Sequence, residues 1–411
     1  MIRVTHNMMK NDVVHNLDVH QRKLDELSNN LSTGKKVRVP EENPVAATHA
    51  MLYRTRINEI QQFMKNIEEG QSRLNIAEGS IKSVTDIFHR LEELAVESGN
   101  GTYTRDDRAK VAVEVDELLK ELVEVGNAKF KGESVFAGFQ VNKNAFEVQK
   151  ARPQFADREV IMKVTYNGDV GKMNREIEQQ EYSPINLAGN NVFWATEDAV
   201  VGSVDVSNYT ADKNYKMNID GKVVQINSGD NINAIMEKIN NANVPVRASL
   251  SNNQFVLKTT TPKELWLEDI EGGNLLQQLG LKDVFYQKPN ETSQNASRVG
   301  MSIFDVVIKF RNDLWQDNVK DIGGTDLGNI QKSLGSILTG LGEIGARSHR
   351  FDTVLKKLNM DEVDMTDVLA KTENIDFTQV VMDLQMLDYV HRSALATGAR
   401  IMRPTLIDFL R

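Results

Sequence analysis

Side-chain chemistry needs nucleophiles, bases or ligands held at set spacings, and this chain offers few such sets. It has no cysteine, which excludes disulfides, thiolate nucleophiles and thiolate metal sites. Ser32-Thr33-Gly34-Lys35-Lys36 resembles part of a phosphate-binding loop. That loop needs a glycine where Asn29 stands and a Ser or Thr where Lys36 stands. The segment is read instead as a helix end, with Gly34 as the terminating residue. The seven histidines are scattered, and His15 and His20 lie five apart, too far round a helix for an i, i+4 ligand pair. The acidic run Asp361, Glu362, Asp364 and Asp367 lacks the glycine and final glutamate of a calcium loop and reads as a solvated linker. No pattern brings two carboxylates together in an apolar cleft. The chain is therefore not read as an enzyme, and no catalytic residue, cofactor or metal is expected.

What the sequence does carry is apolar stripes. From Asn374 onward, Phe377, Val380, Leu384, Leu387, His391, Ala394, Gly398 and Ile401 recur at coiled-coil spacing, with Val381, Leu395 and Met402 alongside. Such a stripe must pack against another helix. Its best partner is at the other end of the chain, where Val13, Leu17, His20, Leu24, Leu27 and Leu31 repeat with the same 3-4 spacing. The two histidines fall on the stripes, so packing rather than metal binding is expected of them. Val13, Leu17, Leu24, Leu27, Leu31, Val380, Leu384, Leu387, Leu395 and Ile401 are the expected assembly interface.

Composition narrows the class. The chain has 411 residues, 40 % hydrophobic and 26 % charged, which suits a soluble protein of several domains. Its formal net charge of -9 argues against a nucleic-acid groove, since phosphate binding relies on clustered Lys and Arg. No apolar run reaches the ~18 residues of a membrane span, so no membrane insertion is expected. The start, MIRVTHNMMKNDVVHN, lacks the apolar core of a cleavable signal peptide, so export would use another route. Eight prolines and 6 % aromatics suit long helices better than a compact enzyme core.

Taken in order, a first helix is expected from about Thr5 to Leu31, followed by an irregular joint containing Gly34, Pro40 and Pro44. Ile60, Ile67, Leu74, Ile81 and Phe88 lie seven apart and predict a helix of about 36 residues, or roughly 50 Å, ending near Ser98. Gly70 and Gly79 within it read as close approaches of neighbouring helices. Thr104 with Asp106 and Asp107 opens a third helix, striped by Val111, Val115, Leu118, Leu122 and Val125. Glu133–Gln140 reads as a strand or hairpin. Asn167-Gly168 and Asp220-Gly221 are hairpin signals, a short helix fits Asn231–Asn241, and strands fit Val246–Leu250 and Phe255–Thr259. After Ser297 the helical period returns, ending in a long stripe from Ile330 to Leu358.

The resulting fold class is mainly α with an α+β insert: a long antiparallel helical rod of paired N- and C-terminal helices with a β-rich central domain. Three domains are expected: 1–45 with 370–411 as the terminal paired-helix unit, 46–150 with 292–369 as the inner helical rod, and 151–291 as the insertion.

Several segments also resemble the flagellin superfamily. Leu31–Ala47 is similar to the joint after the first helix of that family. Flagellins proper usually place Ser-Gly and later Asp-Asp-Ala-Ala there; Pro40 and Pro44 in their place resemble the branch that joins hook to filament. Gly99–Arg108 and Ser134-Val-Phe-Ala-Gly-Phe139 resemble the same branch. So do Ile344–Phe351, Glu373–Phe377 and Leu406–Leu410, while Tyr215–Ile226, Ile232–Asn240, Ala248–Leu257 and Leu275–Leu281 resemble an insertion module of the family. The resemblance implies an exported structural subunit of the bacterial flagellum, extracellular and without enzymatic activity. Its implied partners are other copies of itself in a ring, a neighbouring hook-associated protein, flagellin and a cytoplasmic export chaperone. The other implied role is a flagellin-type filament subunit.

Overall fold

The computed structural model describes residues 6–283 and 287–401, with side chains for 8–283 and 287–400. In chain order come α1 (His6–Thr33), α2 (Pro44–Ser98) and α3 (Arg105–Gly126). The strands β1 (Lys129–Phe130), β2 (Glu133–Ser134), β3 (Phe146–Ala151), β4 (Val160–Tyr166), β5 (Asn174–Glu178) and β6 (Glu181–Pro184) follow. The short α4 (Gly189–Val192) leads to β7 (Ala199–Asp205), β8 (Tyr215–Ile219), β9 (Lys222–Ile226) and α5 (Ile232–Asn241). Next are β10 (Val246–Ser251), β11 (Gln254–Thr259), β12 (Leu267–Ile270), α6 (Leu275–Gln278) and β13 (Ser297–Val299). Helices return with α7 (Ile303–Gln316), α8 (Val319–Asp321), a π-helical turn at Ile322–Asp326, α9 (Leu327–Glu373) and α10 (Phe377–Ile401). The chain is mainly α, with long terminal helices and a β-rich central region.

Its contacts divide it into two units, Met1–Met64 with Lys356–Arg411, and Lys65–Leu355. Both boundaries fall inside helices, and the division keeps 151–291 together with the helices around it.

In the Lys65–Leu355 unit, α2 and α9 run antiparallel. Gln71 donates to Asp352, and Gln331 donates to Glu92 at 2.8 Å. Between them lie Ile67, Leu74, Ile81 and Phe88 from α2, and Ile330, Ile337, Ile344 and Phe351 from α9, all at most 1 % exposed. Both sets recur every seven residues, so one seam stays covered along the pair. Gly70 marks a close approach, because a Cβ there would sit 2.6 Å from Ile185 and 3.0 Å from Phe351. Gly79 marks none; no atom lies within 4 Å of its Cβ position.

The second helix is longer than its stripe predicts, at 55 residues. Pro44 opens it rather than preceding it, since a first-turn proline loses no intrahelical bond. Asn43 caps that end, its Oδ1 accepting from the amide of Ala46 at 3.0 Å. On α3, Thr104 caps as expected, and Asp107 reaches back to complete a capping box. The buried face of α3 is shifted from the expected stripe: Ala112, Val115, Asp116, Leu119, Leu122 and Gly126 point inward. The shift puts Asp116 inside, where it meets Arg311 of α7 at 2.7 Å with both side chains 0 % exposed. Arg311 also donates to the carbonyl of Ile161 at 2.8 Å.

Glu133–Gln140 contributes only the two-residue β2, and Val135, Phe136 and Ala137 continue as a fully buried loop. Asn167-Gly168 makes no hairpin, because β4 pairs back onto β3. Gly168 is there for space, since a Cβ would lie 2.4 Å from the Tyr166 hydroxyl. Asp220-Gly221 does turn β8 into β9, with φ of 53° and 82°. Positive φ at both turn positions matches the twist of the flanking strands. One sheet has the order β10-β11-β7-β13 and another β12-β8-β9, with Ile232, Ile235 and Ile239 of α5 buried in their common core. The acidic run at 361–367, expected as a linker, is helical and lies within α9.

A buried polar network ties β7 and β13 to β4. Arg298 donates to Asp198 and to Glu264, the latter at 3.3 Å. Asn290 donates to the Tyr166 carbonyl at 3.0 Å and to Glu264 at 3.4 Å. Burial pushes the Glu264 carboxyl up to about 8, against the pull of the Arg298 cation.

Candidate assembly interface

In the other unit, α1 packs against α10. The pair is antiparallel: Lys35 bridges Asn374, and His20 faces His391 across 6.2 Å with the rings near edge-on. On α1, Val13, Leu17, His20, Leu24, Leu27 and Leu31 are half-buried, while most of their neighbours are exposed. On α10 the matching positions are Val380, Leu384, Leu387, His391 and Ala394, with Gly398 buried. The structure therefore brings together nearly all of the expected stripe. Phe377 and Leu395 stand off it, 63 % and 47 % exposed. Phe377 occupies the first turn, before the stripe has rotated onto α1. Ile401 ends α10, but its side chain lies outside the described residues, as does Met402 entirely.

The stripe never becomes a dry core, because two helices alone cover only one face of each other. Met382, Met386, Tyr389, Val390 and Leu395 on α10, and Met8, Met9, Val14 and Val19 on α1, remain large, apolar and exposed. The α1–α10 pairing leaves these side chains uncovered. The Nδ1 atoms of His20 and His391 are buried without a hydrogen-bond partner among the described residues.

The joint between α1 and α2 is stitched to the turn between α9 and α10. Gly34 takes φ of +71°, and its amide reaches back to the Asn30 carbonyl at 2.8 Å. Lys36 then donates its amide to Glu373, and Ile375 donates to Gly34. Glu373 is 3 % exposed and accepts from both Lys35 and Arg54. Burial raises its carboxyl, but these two bonds outweigh it and hold the pKa below the ordinary value. Arg38 donates to Glu42 from its amide at 2.8 Å and from its guanidinium at 2.6 Å. The amide bond leads in holding the Glu42 carboxyl below its usual range. Pro40 lies exposed in the turn, and Pro44 starts α2.

Glu373 and Arg54 organise the joint, and neither spacing nor residue type singled them out. Asp376 was missed as well, although a carboxylate just ahead of an apolar stripe signals a helix cap: its Oδ1 accepts from the amides of Thr378 and Gln379. Among the described residues no three His, Asp or Glu side chains are placed to hold a metal, and no helix is long and apolar enough to cross a membrane.

The family model of the bacterial flagellin N-terminal helical region matches residues 4–141. The 31.3 kDa core protein of the flagellar filament of Treponema maltophilum is 33 % identical over 109 residues, 26 % of this chain and 38 % of that protein. Flagellar hook-associated protein 3 of Salmonella typhimurium is 25 % identical over 147 residues, 36 % of this chain and 46 % of that protein. The chain thus spans less than half the length of these curated relatives. A solved hook-associated protein-3 of Legionella pneumophila superposes with a TM-score of 0.47 at 21 % identity, covering 78 % of this chain and 98 % of that one.

Proposed function

We propose that this chain, a member of the flagellin superfamily, is a structural subunit of the bacterial flagellum that forms the junction between hook and filament. The observation that carries the reading is the unfinished α1–α10 pair, whose outer faces keep large apolar side chains in water. Further copies packing side by side would cover those faces, as a tubular lattice requires. Val13, Leu17, Leu24, Leu27, Leu31, Val380, Leu384, Leu387, Leu395 and Ile401 are the assigned assembly residues, with Gly34, Pro40 and Pro44 as the joint. In this reading the terminal paired helices, the inner helices and the β-rich insertion are separate functional layers.

The partners proposed are other copies in a ring, a neighbouring hook-associated protein, flagellin and a cytoplasmic export chaperone. The location proposed is the extracellular flagellum, reached through the flagellar secretion apparatus without a cleaved signal peptide. No enzymatic activity is assigned. Pro40, Pro44 and the Ser134–Phe139 segment favour the junction. The higher identity to a filament core protein favours the other reading, a flagellin-type filament subunit.

Deleting the gene and imaging the cells separates the two. The junction reading expects hooks without filaments, full-length flagellin lost to the medium, and antibody label confined to a short band beyond the hook. Label along the whole filament would establish the filament reading instead. Normal filaments in the deletion strain would refute both.

A further inference from the structure

Two adjoining cavities open in the Lys65–Leu355 unit between the helices and the β-rich region. The larger, of about 1230 Å³, lies between the small residues of α9 (Gly335, Ser336, Thr339, Gly340) and the loop at Thr261–Lys263. The smaller, of about 660 Å³, shares Val170, Lys172, Asp220 and Pro245 with it, so the two form one cleft.

Over the whole cleft five lysines face five carboxylates, so pairing and not formal charge sets its character. The three acids of the larger cavity are each already engaged: Asp220 by Lys263, Glu197 by Lys258, and Glu343 by Arg347. Lys172 and Lys332 are exposed, and no ion pair engages either among the described residues. Burial, and after it the nearby Lys172 charge, lower the pKa of Lys263, while Asp220 opposes both. Lys172 and Lys332 are thus unpaired cations in a chain of net charge -9, free to attract an anion.

The smaller cavity is built differently. At its edge Phe139 is 60 % exposed, and a Cβ on Gly171 would lie 2.1 Å from its ring. Glycine at 171 therefore lets the ring lie flat on backbone. Asp169 fixes that arrangement, accepting from the amides of Phe139 and Gly171 at 2.8 and 2.7 Å. Around it stand Asn218, Asn243 and Glu268, and the Asn218 Oδ1 is buried without a partner among the described residues. An open aromatic face beside amide and carboxylate groups suits a ligand with an apolar ring face and a rim of hydroxyls.

We propose that this cleft binds an acidic oligosaccharide, one sugar ring against Phe139, hydroxyls on Asn218, Asn243 and Glu268, and a carboxylate held by Lys172 and Lys332. The anionic group selects the ligand, and the aromatic face sets its register.

The test uses the purified full-length chain and calorimetric titration with the hexamer of galacturonic acid. Controls are the same hexamer fully methyl-esterified, which keeps length and hydroxyls but removes charge, and cellohexaose. The acid hexamer should bind at least tenfold tighter than either control, and more weakly as salt rises. Lys332→Gln and Phe139→Ala should each weaken binding about tenfold, whereas Lys371→Gln, outside the cleft, should not. Lys332 is a surface residue, so loss of binding in its variant at an unchanged Tm reports the site and not the fold. No binding at millimolar hexamer, equal binding of the ester, or binding that survives Lys332→Gln would overturn the proposal.

Discussion

Raising the pH should loosen the β-rich region through a single carboxyl. Glu264 is 5 % exposed, and burial pushes its pKa up to about 8, with Arg298 opposing and Asp198 adding. In the unfolded chain the group titrates near the ordinary glutamate value of about 4.3. Folding therefore favours the protonated form. The stabilisation is complete below about pH 4 and is lost as pH rises through 8. The cost grows by at most about 1.4 kcal/mol per pH unit, or about 4 kcal/mol between pH 5 and pH 9. Glu264→Gln keeps the size and two hydrogen-bonding atoms but cannot ionise. Urea unfolding of both proteins at pH 5 to 9 gives the difference curve, in which all other titrating groups cancel. The variant should gain on the parent steadily across that range and level off above pH 8. A flat difference would refute the assignment of Glu264 as the buried, neutral member of the network.

Further outcomes are expected. Asp116→Asn leaves the fully buried Arg311 without its counter-charge and should cost about 3–5 kcal/mol by chemical denaturation; adding Arg311→Met should recover much of that loss. At the joint, Glu373→Gln should cost about 1–3 kcal/mol and speed amide exchange at 34–37 and 374–376, while Pro40→Ala with Pro44→Ala should impair motility more than stability. Unchanged motility in the proline variant would make those residues incidental. In the free monomer α1 and α10 should exchange fast, because two half-covered helices scarcely offset an ordering cost of about 1–2 kcal/mol per residue. Leu24→Asp or Leu387→Asp should then block assembly while leaving the Lys65–Leu355 unit folded; strong protection of both arms in a verified monomer would contradict this.

The long helices were legible because a seven-residue period repeated over many turns has few other solutions. Ile67 to Phe88 and Ile330 to Phe351 are read off directly, and so is the pairing of the two chain ends. Boundaries were harder. On α3 the expected Val115 and Leu122 are buried, but Ala112, Asp116 and Leu119 replace the other stripe positions, and sequence gives no sign that a carboxylate has a buried arginine waiting. Asn167-Gly168 carries a strong turn signal, yet its glycine serves the approach of Tyr166 and Ala137, a tertiary need. Pro44 signals a break in sequence, yet a helix tolerates proline in its first turn. Glu373 was invisible for a further reason: its partners Lys35 and Arg54 are more than three hundred residues distant in sequence, so no local pattern could bring them together.

That distance governs the order of events when the chain folds. The bonds closing the joint span 335 residues between Lys36 and Lys371. Closing so long a loop from a random chain would cost about 5 kcal/mol in entropy, more than so thin a helix pair can return. Once α2 and α9 have met, as Arg54 with Glu373 and Gln61 with Glu362 record, the remaining search covers only the few residues of each hinge. The arms are thus the last part to zip and the first to open.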